Sequence, residues 1–302
     1  MKGVYFIVGP TATGKSAIAG EVARICNGEV VGADAFQIYA GFDLLTAKPE
    51  ASLLHRAPHH LIGAIALTEQ MNAERFRAAA LAAIEQVRAR GKPAFVVGGS
   101  GMYVKALTHG LSQLPETNPA LRERLGQYRE GELLVRLRQL DPQTARSIDS
   151  RNKRRLVRAV EICLLTGRPV STQRRRSELL PQAAGVFLFR DRAELYERID
   201  ARVEMMFADG VIDEVRFAGE LGQTAGQMLG LQQIRALIAG RISKADCIAS
   251  IQQATRRYAK RQLTWFQRQT TFEPLNLSLH GSEEAIEWIS RKARLSFSQP
   301  ND

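Results

Sequence analysis

Apolar residues run unbroken through VYFIV at positions 4–8 and stop at Gly9. A short apolar run closed by glycine predicts a strand of residues 3–8 buried on both faces. Helical spacing follows over residues 15–26, and a second apolar strand, GEVVGAD, ends at Asp34. Residues 69–90 are alanine-rich with Leu81, Ile84 and Val87 at helical spacing, which predicts a long helix. The stretch GKPAFVVGGSGMYVKAL then reads as strand, glycine turn and helix. Strands alternating with helices imply a parallel sheet with right-handed crossovers.

The pattern changes at about residue 118. From there to about residue 182 the chain is helical, arginine-rich and poor in strand signals, with Leu137, Leu140, Leu156, Val160 and Leu164 giving modest apolar faces. GVFLFRD predicts a strand returning to the sheet. A helix begins near Ala193, the helical pattern lasts to about residue 269, and the last twenty or so residues carry little pattern. The expected organisation is an α/β core in two parts, residues 1–114 and 185–302. A helical, basic insertion over residues 115–184 interrupts it, with hinges at 115–119 and 181–185. No internal repeat or low-complexity tract is present.

Composition adds that 302 residues suffice for a sizeable core, and that 45% hydrophobic with 24% charged residues is ordinary for a soluble globular protein. No stretch approaches the roughly 20 apolar residues of a membrane span, and the five apolar residues before Gly9 are too few for a signal peptide. Three scattered cysteines (Cys26, Cys163, Cys247) lack metal-site spacing and read as reduced packing residues of a cytoplasmic protein. The net charge of +11 points to an acidic partner, with nucleic acid the first candidate.

Ligands of parallel sheets bind at the carboxyl ends of the strands. Three such ends carry candidate chemistry here. The first is Gly9, Pro10, Thr11, Ala12, Thr13, Gly14, Lys15 and Ser16, which fits G-x-x-x-x-G-K-[ST] between a strand and a helix. Its backbone N–H groups and the following helix N-terminus suit phosphate, Lys15 neutralises terminal oxygens, and the Ser16 hydroxyl is placed to ligate Mg²⁺. The second end carries Asp34, which could hold Mg²⁺ through water, act as a base, or simply cap a turn. The third carries Ser100 between glycines, either a hydroxyl aimed at the reacting group or a tight strand-to-helix turn. Gln37, Tyr39, Thr46 and Lys48 form a polar stretch after Asp34 that suits substrate contact or an ordinary surface loop.

His59 and His60 are adjacent and would point in different directions, which favours a structural or solvated pair over a metal site. Two basic segments remain: Arg151, Arg154, Arg155 and Arg158 with Arg174, Arg175 and Arg176, and Arg256, Arg257, Lys260 and Arg261 around Tyr258 and Trp265. They suit a nucleic-acid backbone and its unstacked bases, or two solvated helix faces.

GPTATGKS, DAFQIYAGFDLLTAKP, APHHLI, VGGSGMYVKAL, RRLVRAVEICLLTGRP, LYERIDARVEMM and TRRYAKRQLTWF occur in the order seen in tRNA dimethylallyltransferases, and the chain resembles that family over roughly residues 3–269. The resemblance implies an α/β, P-loop nucleotide-kinase-like core with a helical insertion. It implies transfer of a dimethylallyl group from its diphosphate to N6 of adenosine 37 in tRNA, with the phosphates as the leaving group. It further implies Mg²⁺ as cofactor, Asp34 as base, and Lys15, Ser100 and Arg202 as catalytic partners, with Arg198 the weaker choice of arginine. Asp34, Ala35, Phe36, Gln37 and Lys48, with Arg154, Arg155, Leu156, Val157 and Arg158, match segments that contact the tRNA anticodon stem-loop. A monomer acting in the cytoplasm, with no membrane partner, completes the expectation.

The chain also departs from the family pattern. Ala35 stands where serine is usual, Leu45 where glycine is usual, and Ser100 where threonine is usual. QMLGLQQ at 227–233 replaces Q-A-I-G-Y-K-E, losing a tyrosine, a lysine and a glutamate.

Overall fold

A computed structural model describes residues 3–112, 114–173 and 183–298. The basic run at 174–176 and the start of the second hinge, 181–182, lie outside them. The chain divides into two compact units: one gathers the described residues of 1–108 and 181–302, the other those of 109–180.

The first unit opens with β1 (Val4–Val8), α1 (Lys15–Ile25) and β2 (Glu29–Gly32). A short helix α2 (Ala51–Leu54) and strand β3 (His59–His60) follow, then α3 (Ala73–Ala89), β4 (Ala94–Gly98) and α4 (Gly101–His109). Helix α3 starts four residues later than its apolar period suggests, because Asn72 caps it by accepting from the amides of Glu74 and Arg75.

The second unit is all helical among its described residues: α5 (Pro119–Gly126), α6 (Glu130–Leu140), α7 (Pro142–Ser147), α8 (Lys153–Thr166) and α9 (Val170–Gln173). Leu125, Leu133, Leu137, Leu156 and Val160 form its core. The fully buried Glu161 fastens the residues leading into α5 onto α8. It accepts from the Asn118 amide at 2.8 Å, from Arg122 at 3.0 Å and from Arg158 at 2.7 Å. A buried carboxylate persists in an apolar bundle only when so surrounded.

The chain returns to the first unit as β5 (Gly185–Phe189), α10 (Arg192–Ala208), α11 (Val211–Arg216), α12 (Leu231–Ile238), α13 (Lys244–Gln269), β6 (Glu273–Asn276) and α14 (Ser282–Ser298). The continuous helical stretch expected over 191–269 is therefore broken. Gly210 and Gly230 adopt φ of +99° and +93°, a left-handed conformation that ends one helical run and begins the next.

The six strands of this sheet are ordered β3-β2-β4-β1-β5-β6, and every pairing is parallel. Alternation within β1 sends Val4, Phe6 and Val8 to one face and Tyr5 and Ile7 to the other. The first face packs against α3, α4, α12 and α13 residues such as Phe76, Tyr103, Ile234 and Phe266. The second is covered by α1 and by Ala285, Ile289 and Ala293 of α14. With both faces covered, the strands read as continuous apolar runs. At the amino end of β2, Glu29 is 2% exposed and bound by Arg90, Lys92 and His60. The Arg90 guanidinium foremost, then His60 and Lys92, hold its carboxyl at about 2 against the opposing effect of burial. His59 instead bonds the Ala57 carbonyl at 2.7 Å.

The order β2-β4-β1 has the consequence for function. It sets the ends of these strands side by side, with the Gly99–Ser100 turn between Asp34 and the phosphate-type loop. Here the backbones nearly touch: a Cβ on Gly98 would collide with Ala33, and one on Gly9 with the Leu188 carbonyl.

Candidate active site

The loop from Gly9 to Ser16 is held from outside by arginines of later elements. Arg190 Nε donates to the Thr13 carbonyl and Arg198 Nε to the Ala12 carbonyl, both at 2.9 Å. Arg202 Nη1 donates to Thr11 Oγ1 at 2.9 Å. In a trans peptide a carbonyl pulled outward turns the next N–H inward, so Thr13 and Gly14 present their amides to the loop's interior. Ala12 and Gly14 take the left-handed conformation this curl requires, at φ +66° and +93°. Thr13 is fully buried and its hydroxyl donates to the Pro10 carbonyl at 3.0 Å.

Lys15 opens α1, and its ammonium rests on the Pro10 carbonyl at 3.2 Å. Burial lowers it to about 8; the nearby Asp34 carboxylate opposes that shift and Arg202 adds to it. Burial likewise pulls Arg202 down, with Asp34 opposing and Arg198 reinforcing. Two half-buried cations, Lys15 and Arg202, beside one carboxylate leave an excess of positive charge, which a phosphate group would satisfy.

Asp34 caps a turn and also faces a cavity. Its Oδ1 accepts from the Phe36 amide at 3.0 Å and the Gln37 amide at 3.4 Å, forming a local turn. The same side chain lines a cavity of about 70 Å³ together with Thr11, Arg202 and Tyr258. The remaining wall is apolar, made chiefly by Leu45, Val203, Met206, Met228, Leu229 and Ile251. A site of this kind, a few convergent polar groups on an apolar lining, suits a small ligand that is charged at one end. Leu45, one of the departures from the family pattern, is part of that wall, and its backbone is fixed by Glu214, which accepts from the Leu44 and Leu45 amides at 2.8 Å each.

Ser100 is 8% exposed, and its Oγ accepts from the Ala35 amide at 2.8 Å, next to Asp34. Tyr258 stands close to Ser100, Gln262 and Asp34, and burial pushes its hydroxyl well above the usual tyrosine range. Tyr258 lines the cavity beside Asp34, so this aromatic residue of α13 stands within the site. Tyr258 and Gln262 fall within the TRRYAKRQLTWF segment, and Arg190 in none of the quoted segments; the partners of Gln262 and Arg190 are far away in sequence, so their place in the site is visible only in the fold.

The residues expected to face RNA separate into two groups. Arg154 and Arg155 are exposed on α8, Val157 is half-buried beside them, and Phe36 lines the cavity. Ala35 contributes its amide to Ser100. Leu156 is fully buried in the core of the helical unit and offers no surface to a ligand. Arg158 is bound by Glu161 and donates to the Pro115 carbonyl at 2.7 Å. Gln37 Nε2 braces its own loop through the carbonyls of Thr46 and Ala47, at 3.2 and 2.7 Å. Lys48 does the same, donating to the Gly41 carbonyl and Asp43 at 2.6 Å each.

No cluster of three or more His, Cys, Asp or Glu side chains that could cage a metal occurs among the described residues. Mg²⁺ does not need one. It keeps waters and uses one or two protein oxygens with substrate phosphates, which the Ser16 hydroxyl at the loop's end fits. No helix among the described residues is long and apolar enough to cross a membrane.

Fold and site together define a P-loop α/β protein whose loop faces a carboxylate across a small apolar cavity. The family model for IPP transferase matches residues 37–269. A tRNA dimethylallyltransferase of Akkermansia muciniphila is 39% identical over 93% of this chain and 96% of its own. The tRNA dimethylallyltransferase 1 of Citrifermentans bemidjiense is 42% identical over 87% and 88%. Among solved structures, the full-length tRNA isopentenylpyrophosphate transferase of Bacillus halodurans superposes with a TM-score of 0.70 at 31% identity, over 98% of each chain. A eukaryotic dimethylallyltransferase acting on tRNA gives 0.78 at 25% identity, over 95% of this chain and 79% of its own. The chain belongs to the IPP transferase family of tRNA dimethylallyltransferases.

Proposed function

We propose that the protein transfers the dimethylallyl group of dimethylallyl diphosphate to N6 of adenosine 37 in tRNA, releasing diphosphate. One observation carries the reading: within a member of this family, Thr11 of the phosphate-type loop, Asp34 and Arg202 line a single largely apolar cavity, and Ser100, from the strand end between the loop and Asp34, is bonded to Ala35 beside that carboxylate.

The diphosphate lies against the loop amides with Lys15 and Arg202, which stabilise the charge that grows on the leaving oxygen as the allylic C–O bond breaks. Mg²⁺, when bound beside Ser16, supplies further positive charge to the same oxygens. The five-carbon group occupies the apolar wall formed by Leu45, Met228 and Ile251, which keeps water from the developing allylic cation. Adenine N6 is a weak nucleophile because its lone pair is delocalised into the ring. Asp34 takes a proton from N6 as the N–C bond forms. Ser100, held by the Ala35 amide, directs its hydroxyl toward the leaving oxygen. Adenosine 37 must leave the anticodon-loop stack to reach the cavity. Arg154 and Arg155 of the helical unit supply phosphate contacts to the anticodon stem-loop. The reading takes the acting species to be a monomer at work in the cytoplasm, where tRNA is modified.

The test is incubation of the purified protein with unmodified tRNA, Mg²⁺ and dimethylallyl diphosphate, followed by nucleoside mass analysis, with AMP as a parallel acceptor. N6-dimethylallyladenosine in tRNA and none on AMP is the expected result. Prenylated AMP, or unmodified tRNA despite tight tRNA binding, would overturn the reading.

A further inference from the structure

We propose that Gln262 is a positioning residue that locks the diphosphate loop to the turn bearing Ser100 and so fixes the distance between leaving group and base. This inference deepens the transferase reading and rests on it.

Gln262 lies on α13, is 6% exposed, and has its amide bonded at both ends. Its Oε1 accepts from the Thr11 amide at 2.9 Å, and its Nε2 donates to the Gly99 carbonyl at 2.8 Å. Thr11 belongs to the loop after β1 and Gly99 to the turn after β4, so one side chain spans two of the three strand ends. The direct backbone link between those ends, Gly9 N–H to the Gly98 carbonyl, is long at 3.4 Å. Space at the turn is matched to the amide: a Cβ on Gly99 would collide with Gln262 Nε2.

The bridge continues in both directions. On one side Thr11 Oγ1 accepts from Arg202. On the other, Ser100 follows Gly99 and accepts from Ala35, the residue after Asp34. Leaving-group ligands, hydroxyl and base thus form one hydrogen-bonded unit whose central piece is a neutral amide. Glutamine suits the task because it is a donor and an acceptor at once and adds no charge beside Lys15 and Arg202. An apolar residue of the same size would fill the space while leaving the Thr11 amide and the Gly99 carbonyl without this partner.

In the transfer, the carbon must travel from the leaving oxygen to N6 while Asp34 meets the N6 proton. Misplacement by about 1 Å costs on the order of 100-fold in such steps. Diphosphate binding, which depends on the other loop amides and Lys15, is less sensitive to the register between the two strand ends.

Three proteins decide the matter: wild type, Gln262→Leu and Gln262→Glu. With dimethylallyl diphosphate and tRNA, Gln262→Leu should lower kcat by about 10–100-fold while leaving the donor KM and the affinity for inorganic diphosphate within about threefold. Gln262→Glu restores both hydrogen bonds only when its carboxyl is protonated, O–H to Gly99 and C=O from Thr11. Its kcat relative to wild type should therefore recover toward acid pH, whereas that of Gln262→Leu stays flat. Amide hydrogen exchange should quicken together in residues 9–14 and 98–101 of Gln262→Leu. Wild-type kcat in Gln262→Leu, equal losses in both variants at every pH, or unchanged exchange in either segment would overturn the positioning role. Wild-type protein that makes no prenylated adenosine would sink the transferase reading instead, and the exchange measurement would still report whether the bridge exists.

Discussion

Arginine serves opposite ends in the two units. In the α/β unit Arg190, Arg198 and Arg202 point at the phosphate-type loop, where each satisfies an oxygen of the loop and Arg202 also lines the cavity. In the helical unit the arginines of α8 divide by face: Arg158 turns to the buried Glu161, while Arg154 and Arg155 stand exposed. In RRLVR, Leu156 is buried and Arg158 is bound to Glu161, while Arg154 and Arg155 are exposed. A net charge of +11 says that an acidic partner is plausible; it does not say which guanidinium meets it. A buried carboxylate or an orphaned carbonyl claims an arginine first, because leaving it unpaired costs more than a solvent-exposed contact returns.

Substitutions can break or sharpen this contrast. The largest effect is expected at Asp34. Asn at this position keeps an oxygen for the Phe36 and Gln37 amides but cannot take a proton, so kcat should fall by roughly 10²–10⁴-fold with the melting temperature unchanged. Arg202→Leu removes a half-buried cation from the leaving group and should cost about 10²–10³ in kcat/KM; Arg190→Leu, whose guanidinium meets the loop only at the Thr13 carbonyl and otherwise binds Glu194 and the Leu277 carbonyl, should cost less in the same assay. A shallower loss at Arg202 than at Arg190 would reverse the assignment of inner and outer arginines.

The pH dependence comes next. Lys15 is protonated below its lowered value of about 8 and loses its charge above it. The donor KM should be flat below that pH and rise above it, by at most about tenfold per pH unit. In the helical unit, Glu161→Ala strands Arg122 and Arg158, which are partly exposed and can turn to water. A loss of about 1–3 kcal/mol in urea unfolding is expected, with the donor KM unchanged. The smallest effect is at the exposed pair: Arg154→Ala with Arg155→Ala should reduce the slope of log tRNA affinity against log salt by about two, one per lost phosphate contact. If Arg158→Ala gave the same slope change with no loss of stability, the division of α8 into structural and RNA-facing arginines would be wrong.

Much of this was legible before any coordinates. β1, β2 and β4 are covered on both faces, so their apolar runs survive in the sequence as blocks, and the loop, Asp34 and Ser100 sit where those blocks end. β3 and β6 were not legible for the converse reason. Each is an edge strand; His59–His60 is two residues long, and in Glu273–Asn276 only Leu275 is buried. Helix α14 hides its inward face because two of its three main contacts, Ala285 and Ala293, are small. In the site, Lys15 and Ser16 are fixed by a local motif, and Arg202 was reached through the family resemblance. Gln262 acts through partners more than a hundred residues away, Thr11 and Gly99, so its bracing role cannot be read from the basic, aromatic pattern of its helix.

The central claim is that the loop's phosphates leave rather than transfer. It is tested most directly by a single turnover with dimethylallyl diphosphate and unmodified tRNA, quantifying inorganic diphosphate and N6-dimethylallyladenosine in the same sample. The account predicts one diphosphate released for each adenosine prenylated, with both slowed by the same roughly 10²–10⁴-fold factor in Asp34→Asn. Phosphorylated product, or diphosphate released without prenylated adenosine, would contradict it.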